Sequence, residues 1–392
     1  MDLRLTEAQS RLQKDIRAFL ESMKKKGEYP FTNDSLQLVF SPEFSQKLAE
    51  KGWIGIAWPK EFGGQGAGYL ERCIILEELL KSGAPVGYHY LADRQVGPGI
   101  IHFGSDFLKN EFLQKMLNAQ VSFCLLFSEP NAGSDLAACE TSAVEEGDYF
   151  ILNGQKTWTS HGHSADYGWG LMRTSFDSKT PKHNAFSEIL INMKTPGITI
   201  RPVINMVGLH SFNEVFFDNV KIHQKYLIGK KGNGFRQIMT NLVYERATID
   251  RLIQNYSAKE ALFEYAKTTE KDGVPLSKDP IIRDSLAKLE VEFQVGRKYI
   301  YYVTTLLDDG KIPDYEAAIG KNFCTLFEAK LSDLATNIMG LHGLIMPDSP
   351  KALFKGIVAE SYLMSPSYTL QGGSVEILKN IIAKRGLKLS LK

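Results

Sequence analysis

The stretch that most constrains the fold of this chain is residues 125–166, LLFSEPNAGSDLAACETSAVEEGDYFILNGQKTWTSHGHSAD. Its apolar lead-in, residues 123–127, gives way to Ser128, Glu129, Pro130, Asn131, Gly133, Ser134 and Asp135, a cluster that reads as a loop. Gly133 permits a tight turn, and Ser128 and Ser134 offer short hydroxyls to a ring edge or a phosphate. The run Tyr149-Phe150-Ile151-Leu152 then meets Asn153-Gly154. That dipeptide predicts a tight hairpin, with residues 155–160 returning and carrying Trp158.

SEPNAGSD followed by NGQKTWTS resembles the middle-domain signature of the acyl-CoA dehydrogenase family, T-E-P-x-A-G-S-D and then N-G-x-K-x-W-I-T, at the family's spacing. Residues 56–64, IAWPKEFGG, and 194–221, which include HSFNEVFFDNV, resemble the same family. The resemblance covers essentially the whole chain. It implies an α+β fold with an N-terminal helical domain (1–120), a middle β domain contacting flavin and substrate (121–231) and a C-terminal four-helix bundle (232–392).

The residue pattern agrees. Thr6 and Gln9 form a capping box ahead of Leu12, Ile16, Phe19 and Leu20 at helical spacing. Phe44, Leu48 and residues 74–80 continue the helical theme. From 121 to 231 short β-rich runs predominate (149–152, 188–193, 198–203 and 214–217), separated by turns such as Thr195-Pro196-Gly197. Gly229, Gly232 and Gly234 read as punctuation before a helix that opens at Phe235. Helices are then predicted over 238–265, 280–307, 315–339, 351–362 and 375–389.

Several function classes are set aside by composition. The 392 residues allow two or three domains, and 46 basic against 45 acidic side chains create no field suited to nucleic acid or an anionic membrane. Cys73, Cys124, Cys139 and Cys324 share no metal-ligand spacing, which favours free thiols in a reducing compartment. No apolar run is long enough to span a bilayer, residues 1–20 read as no targeting segment, and Ser390-Leu391-Lys392 is not the peroxisomal order. A cytoplasmic location is expected. The glycines of 64–68 follow Pro59 rather than a clean strand and do not read as a nicotinamide site, while His161 and His163 have no third ligand nearby. No metal is expected.

The candidate for chemistry lies on the helix that opens near Phe235. Ile238, Leu242, Ile249, Leu252 and Tyr256 fall at steps of four and three, and the missing member of that stripe is Glu245. A carboxylate there has two accounts: a Glu satisfied by a buried Arg or a backbone group, or a general base whose pKa is raised by an apolar pocket. Arg246 is placed to pair with Asp250 one turn on.

The family resemblance favours the second account. One group of members carries the glutamate just before a G-T-S-E-I motif, and another carries it in L-x-x-E-R. This chain has Leu242-Val243-Tyr244-Glu245-Arg246, and Gly372 stands where the first group's glutamate would be. Neither Gly372 nor Gln371 is a carboxylate base. The implied reaction is α,β-dehydrogenation of an acyl-CoA, with Glu245 taking the α-proton and the β-hydrogen leaving as hydride to FAD. By the resemblance, motif positions imply Leu125, Phe127 and Ser128 along the isoalloxazine, Trp158 and Ser160 on its far side, and Thr159 as a further cofactor-binding residue. They place Ser134 by the diphosphate and the acyl-CoA, Arg246 on the CoA side, and Gly373 and Ser374 at FAD.

Two segments depart from the family. Thr269 occupies the place of an Arg that reaches a neighbouring subunit's FAD, and the Q-x-x-G-G segment reads Asn337-Ile338-Met339-Gly340-Leu341-His342-Gly343. Both changes resemble a branch in which two dehydrogenase-like chains form a heterotetramer with fewer flavins than chains. The partners implied are therefore an acyl-CoA substrate, an electron-transfer flavoprotein as acceptor, and either a second copy (homodimer or homotetramer) or a related chain. A half-site partner subunit, and a flavin-dependent oxidase or monooxygenase on the same fold, are the alternatives.

Overall fold

The structure, a computed structural model, describes residues 4–33 and 35–390. Met1 and the Leu391-Lys392 end of the terminal tripeptide, on which the targeting expectations partly rest, lie outside the described residues. In chain order the first helices are α1 (Glu7–Lys25), α2 (Ser35–Leu38), α3 (Pro42–Glu50), α4 (Tyr69–Lys81), α5 (Gly97–Phe103) and α6 (Asp106–Leu117). The sheet follows as β1 (Phe123–Leu126), β2 (Ser142–Glu146), β3 (Tyr149–Lys156), β4 (Tyr167–Arg173), β5 (Phe186–Asn192), β6 (Ile198–Ile204), β7 (His210–His223) and β8 (Leu227–Ile228). Helices return as α7 (Gly234–Arg246), α8 (Asp250–Ile253), α9 (Tyr256–Thr268), α10 (Pro280–Asp308), α11 (Asp314–Met339), α12 (Ile357–Tyr368) and α13 (Val375–Ile381). None of the described helices is long and apolar enough to cross a membrane.

Helix α1 starts as its sequence predicts. The Thr6 hydroxyl accepts from Gln9 N (3.2 Å), the Gln9 amide oxygen accepts from Thr6 N (3.0 Å), and Ile16, Leu20 and Met23 are buried. The strands form one sheet in the order β6-β7-β3-β2-β4-β5-β8, with β1 running parallel beside β4. Residues alternate across it. Met172 and Ile191 join a core with Phe150, Val215 and Ile222, whereas Leu171 and Phe186 pack with Ile238 of α7. Strand β4 was missed in the sequence because Gly168 and Gly170 dilute its apolar pattern.

Two local expectations are corrected. Asn153-Gly154 is no hairpin turn: β3 runs straight through it, and the pairing with β7 shifts register between Leu152 and Gly154. Gly154 takes φ +141°, and a Cβ there would sit 2.7 Å from Thr141 Oγ1, so the glycine serves a bulge. The real turn is Gly147-Asp148, between β2 and β3. The single helix predicted over 238–265 is three pieces, α7, α8 and α9. Its interruption is a buried polar stretch: Thr248 donates to Asp250, Arg251 Nε approaches Asp250 Oδ2 (3.5 Å), and Gln254 and Asn255 are also buried. A continuous amphipathic helix has one solvated face, and this stretch has none.

Packing divides the described residues into two compact units. One holds the residues up to Ser35, Tyr69–Ala84 and everything from Arg246 onward; the other holds Leu36–Gly68 and Pro85–Glu245. In the first, α4 joins the C-terminal helices through buried Glu77, which accepts from Arg297 Nε (2.7 Å) and the Tyr301 hydroxyl (2.5 Å) and pairs with Lys81. The second is built on the sheet and ends in α7.

Candidate active site

In the sheet-containing unit, the chain leaving β1 is fixed by a buried ion pair. Lys156 Nζ donates to Phe127 O (3.0 Å) and to Glu129 Oε1 (2.8 Å), and the Glu129 carboxylate also accepts from Glu140 N (2.7 Å) and Thr141 N (2.9 Å). Burial pushes the Glu129 carboxyl up, but the Lys156 charge and these donors outweigh it and hold the group below the ordinary carboxylate range. Thr157 N donates to Ser128 O (2.9 Å), which brings residues 125–128 beside 157–160.

Beyond Thr157 the backbone takes a strained turn. Trp158 has φ +59° and is 60% exposed, with its ring edge on Phe212 (5.9 Å between centroids). Thr159 is locked in by Asn213: its N–H donates to Asn213 O (3.0 Å), and Asn213 Nδ2 donates to its carbonyl (2.9 Å). Its hydroxyl is buried without a partner among the described residues. Leu125, Phe127, Ser128 and Ser160 are part-buried, and Ser134 is exposed in the loop after β1. The part-buried Leu125 and Phe127, the short hydroxyls, one orphaned buried hydroxyl and the exposed indole on a strained backbone fit a flavin ring system.

The two histidines of the H-x-H do not share a site. His161 is buried against Leu36 O (Nε2, 3.0 Å), whereas His163 stacks on His210 (4.1 Å) and meets Asn213 Nδ2 (3.2 Å). Among the described residues no group of three or more His, Cys, Asp or Glu is arranged to hold a metal, and each of the four cysteines is free and buried.

Helix α7 presents an apolar face through Ile238 and Leu242, and a second buried face that is polar. Gln237, Asn241 and Glu245 fall on it at successive steps of four. Gln237 Nε2 donates to Glu188 Oε2 (2.6 Å) and to Ile228 O (3.0 Å), fastening the start of the helix to β5 and β8. Asn241 is 3% exposed, and its Nδ2 has no partner among the described residues. Glu245, also 3% exposed, faces the guanidinium of Arg94 (Nη1–Oε1, 3.4 Å), which is itself 5% exposed. Arg94 sits in a π-helical turn (Ala92–Val96), stacks on Tyr90 (4.2 Å) and donates to Gln95 Oε1 (3.2 Å).

The surroundings of Glu245 are therefore not the wholly apolar pocket that one sequence account required. The partner Arg that the other account called for is present. Arg94 was not identifiable in the sequence, where it lies 151 positions from Glu245 and in no periodic pattern.

The Glu188 anchor sets a pH dependence. Burial pushes this carboxyl up to about 8, with the Gln237 donor opposing the shift. A folded pKa above the unfolded one means that the native state holds the proton longer. The neutral form's contribution is complete below about pH 4.5 and is lost as pH rises towards 8. Glu188→Gln is expected to flatten the fall in stability across that window, as read by urea melts at pH 5 and pH 8 (about the two ends of it). A fall as steep as that of the wild type would assign it to another group.

The helical unit holds the remaining candidates. Arg246 Nε donates to Gly372 O (2.9 Å), and a Cβ on Gly373 would lie 3.1 Å from Arg246 Nη2. Lys321, fully buried, donates to Tyr368 O (3.1 Å) and Gly373 O (2.8 Å), and Arg251 Nη1 to Gln371 Oε1 (3.0 Å). Gly372 has φ +65°, a conformation in which any carboxylate-bearing residue would be strained. Ser374 caps α13, accepting from Ile377 N (3.4 Å). Thr269 N closes α9 on Tyr265 O (2.9 Å). The turn at Gly340–Leu344 leaves Leu341 82% exposed.

The family models described as acyl-CoA dehydrogenase N-terminal, middle and C-terminal domains match residues 6–120, 124–220 and 232–387. The acyl-CoA dehydrogenase IpdE1 of Mycobacterium tuberculosis is 32% identical over 348 residues, covering 88% of this chain and 87% of the relative. FadE29 of the same organism, also an acyl-CoA dehydrogenase, is 30% identical over 390 residues, 99% of both chains. Among solved structures, the Tcur3481-Tcur3483 steroid ACAD superposes with a TM-score of 0.89 at 27% identity and full coverage of both chains. The ChsE4-ChsE5 complex from Mycobacterium tuberculosis gives 0.89 at 26% identity, again with full coverage of both chains.

Proposed function

The chain belongs to the acyl-CoA dehydrogenase family of oxidoreductases, and on that premise we propose that it converts an acyl-CoA to the trans-2-enoyl-CoA with Glu245 as general base. The observation that carries this reading is a buried carboxylate on α7 facing Arg94, in a chain whose other motif position for the base is Gly372 at φ +65°. FAD, when bound, supplies the two-electron acceptor for the β-hydrogen. Leu125, Phe127, Ser128, Trp158, Thr159 and Ser160 would hold its ring. By motif position, Gly373 and Ser374 would also serve FAD, Ser134 the diphosphate and Arg246 the CoA.

Glu245 takes the α-proton on its carboxylate. The Arg94 guanidinium, 3.4 Å from Oε1, fixes the side chain's direction before substrate arrives. The Lys156–Glu129 pair and the Thr157–Ser128 bond tie the two proposed ring-binding segments to each other. The domain division 1–120, 121–231 and 232–392 belongs to the same reading.

The test is direct. FAD-loaded protein is given an acyl-CoA and an electron-accepting dye, and the product is weighed by mass spectrometry. Loss of two hydrogens supports the reading, and an unchanged acyl-CoA across short, long and ring-bearing chains would remove it. An electron-transfer flavoprotein is the proposed physiological acceptor. The departures from the family at Thr269 and at residues 337–343 motivate a second arrangement, a heterotetramer with a related chain, beside the homodimer or homotetramer. Near one flavin per chain in the protein purified alone would support the homo-oligomer. A ratio near zero, restored by co-expression with a related chain, would support the heteromer.

A further inference from the structure

Asn241 is the member of the buried polar row on α7 whose side-chain N–H donors lack a partner among the described residues. Gln237, one turn earlier, spends its Nε2 on Glu188 and Ile228 O, and Glu245, one turn later, faces Arg94. Asn241 is buried to the same degree, yet its Nδ2 has no acceptor among the described residues. Leaving a buried amide donor unmade costs about 1–3 kcal/mol, and a leucine at this position would incur no such cost. Buried polar groups of this kind are normally satisfied, so an unsatisfied one marks a place where something else supplies the partner.

The position says what that partner is. Residues four apart on a helix have Cβ atoms about 5–6 Å apart and share a face. An acceptor for Asn241 Nδ2 therefore lies within a few atoms of whatever meets Glu245. Resting on Glu245 as the base, we propose that Asn241 is a specificity-determining residue that donates to an oxygen substituent, a carbonyl or hydroxyl, on the acyl group itself. The substrate class is then an oxygenated acyl-CoA rather than a plain alkyl one. Arg94, buried opposite Glu245, and the buried Gln95 that accepts from it make this environment polar where an unsubstituted chain would gain nothing from it. A donor of this kind selects strongly, because a substrate lacking the oxygen leaves the amide unpaired.

The experiment compares octanoyl-CoA with its mono-oxo derivatives on the flavin-loaded protein, wild type and Asn241→Leu, with Asn241→Ala as a second variant that lacks the N–H donor. At least one oxo derivative is expected to exceed octanoyl-CoA in kcat/KM by about tenfold or more in the wild type. Both variants are expected to erase most of that preference. The ligand-free Asn241→Leu chain should melt above the wild type, since an unmet donor has been removed, and the extra thermal stabilisation by the preferred oxo derivative should vanish. Equal loss for octanoyl-CoA and every oxo derivative would overturn the assignment and move the donor's role to the thioester carbonyl. So would a wild type that turns over octanoyl-CoA with no gain from any oxo group. If no acyl-CoA is bound or turned over at all, the dehydrogenase reading fails first, a result the thermal shifts separate from failure of the Asn241 assignment alone.

Discussion

Glu245→Gln is expected to lower the turnover of acyl-CoA by about 10²–10⁴-fold, the range set by loss of a positioned general base, with flavin content unchanged. Glutamine keeps the shape and one acceptor oxygen but cannot take a proton from carbon. It also leaves Arg94 buried opposite a neutral group, and removing one member of a buried pair costs about 3–5 kcal/mol. Turnover must therefore be normalised to the flavin-loaded, folded fraction. Glu245→Asp keeps the charge and withdraws it by one methylene, so its stability should stay closer to wild type while its kcat falls. That split distinguishes a base from a carboxylate that only satisfies Arg94. If Gln at this position turns over within a few-fold of wild type, Glu245 is a structural partner of Arg94 and the proton leaves by another route.

Lys156→Met is expected to be strongly destabilising. Lys156 is fully buried, its ammonium shared between Glu129 and the carbonyl of Phe127. Its removal leaves a buried carboxylate uncompensated, at a cost of about 3–5 kcal/mol. The folded remainder should also retain less flavin, because the chain at Phe127 and Ser128 loses one of its two ties to residues 156–157. The sign with pH follows from Glu129, whose carboxyl is held below its ordinary range in the wild type. That contribution is present above the unfolded carboxylate pKa and is lost as pH falls through the lower folded value. In Lys156→Met the depression is relieved, so the gap in melting temperature between variant and wild type should narrow on going from about pH 7 to about pH 4. The double variant with Glu129→Gln removes the stranded charge and should recover part of the stability at neutral pH without recovering the flavin. A single variant that melts with the wild type would show the pair to be dispensable.

What could be read from the chain alone follows the range of the interactions involved. The α1 cap, the α10 and α11 helices and the sequence of helices, strands and helices depend on neighbours three or four positions apart, and periodicity records those. The motif segments 125–135 and 153–160 were legible as segments, because their spacing is itself a sequence property. Asn153-Gly154 was misread for a physical reason: the dipeptide specifies a backbone able to adopt positive φ, and a bulge needs that as much as a turn does. Helix α7 was extended too far because apolar residues continued at the right interval, while the buried Thr248, Asp250 and Arg251 that break it gave no periodic warning.

By itself the sequence determined the family and the order of structural elements, and it singled out Glu245; it set that carboxylate in an apolar stripe, whereas in the fold it belongs to a buried polar row with Gln237 and Asn241. Tertiary structure decided what that carboxylate faces, that Gly372 lies in a left-handed turn, and that Asn241 is buried without an acceptor. Arg94 and Glu245 are 151 positions apart and Lys156 and Phe127 are 29 apart. Contacts at such separations depend on how folded elements pack against one another, and no local pattern of residues encodes that.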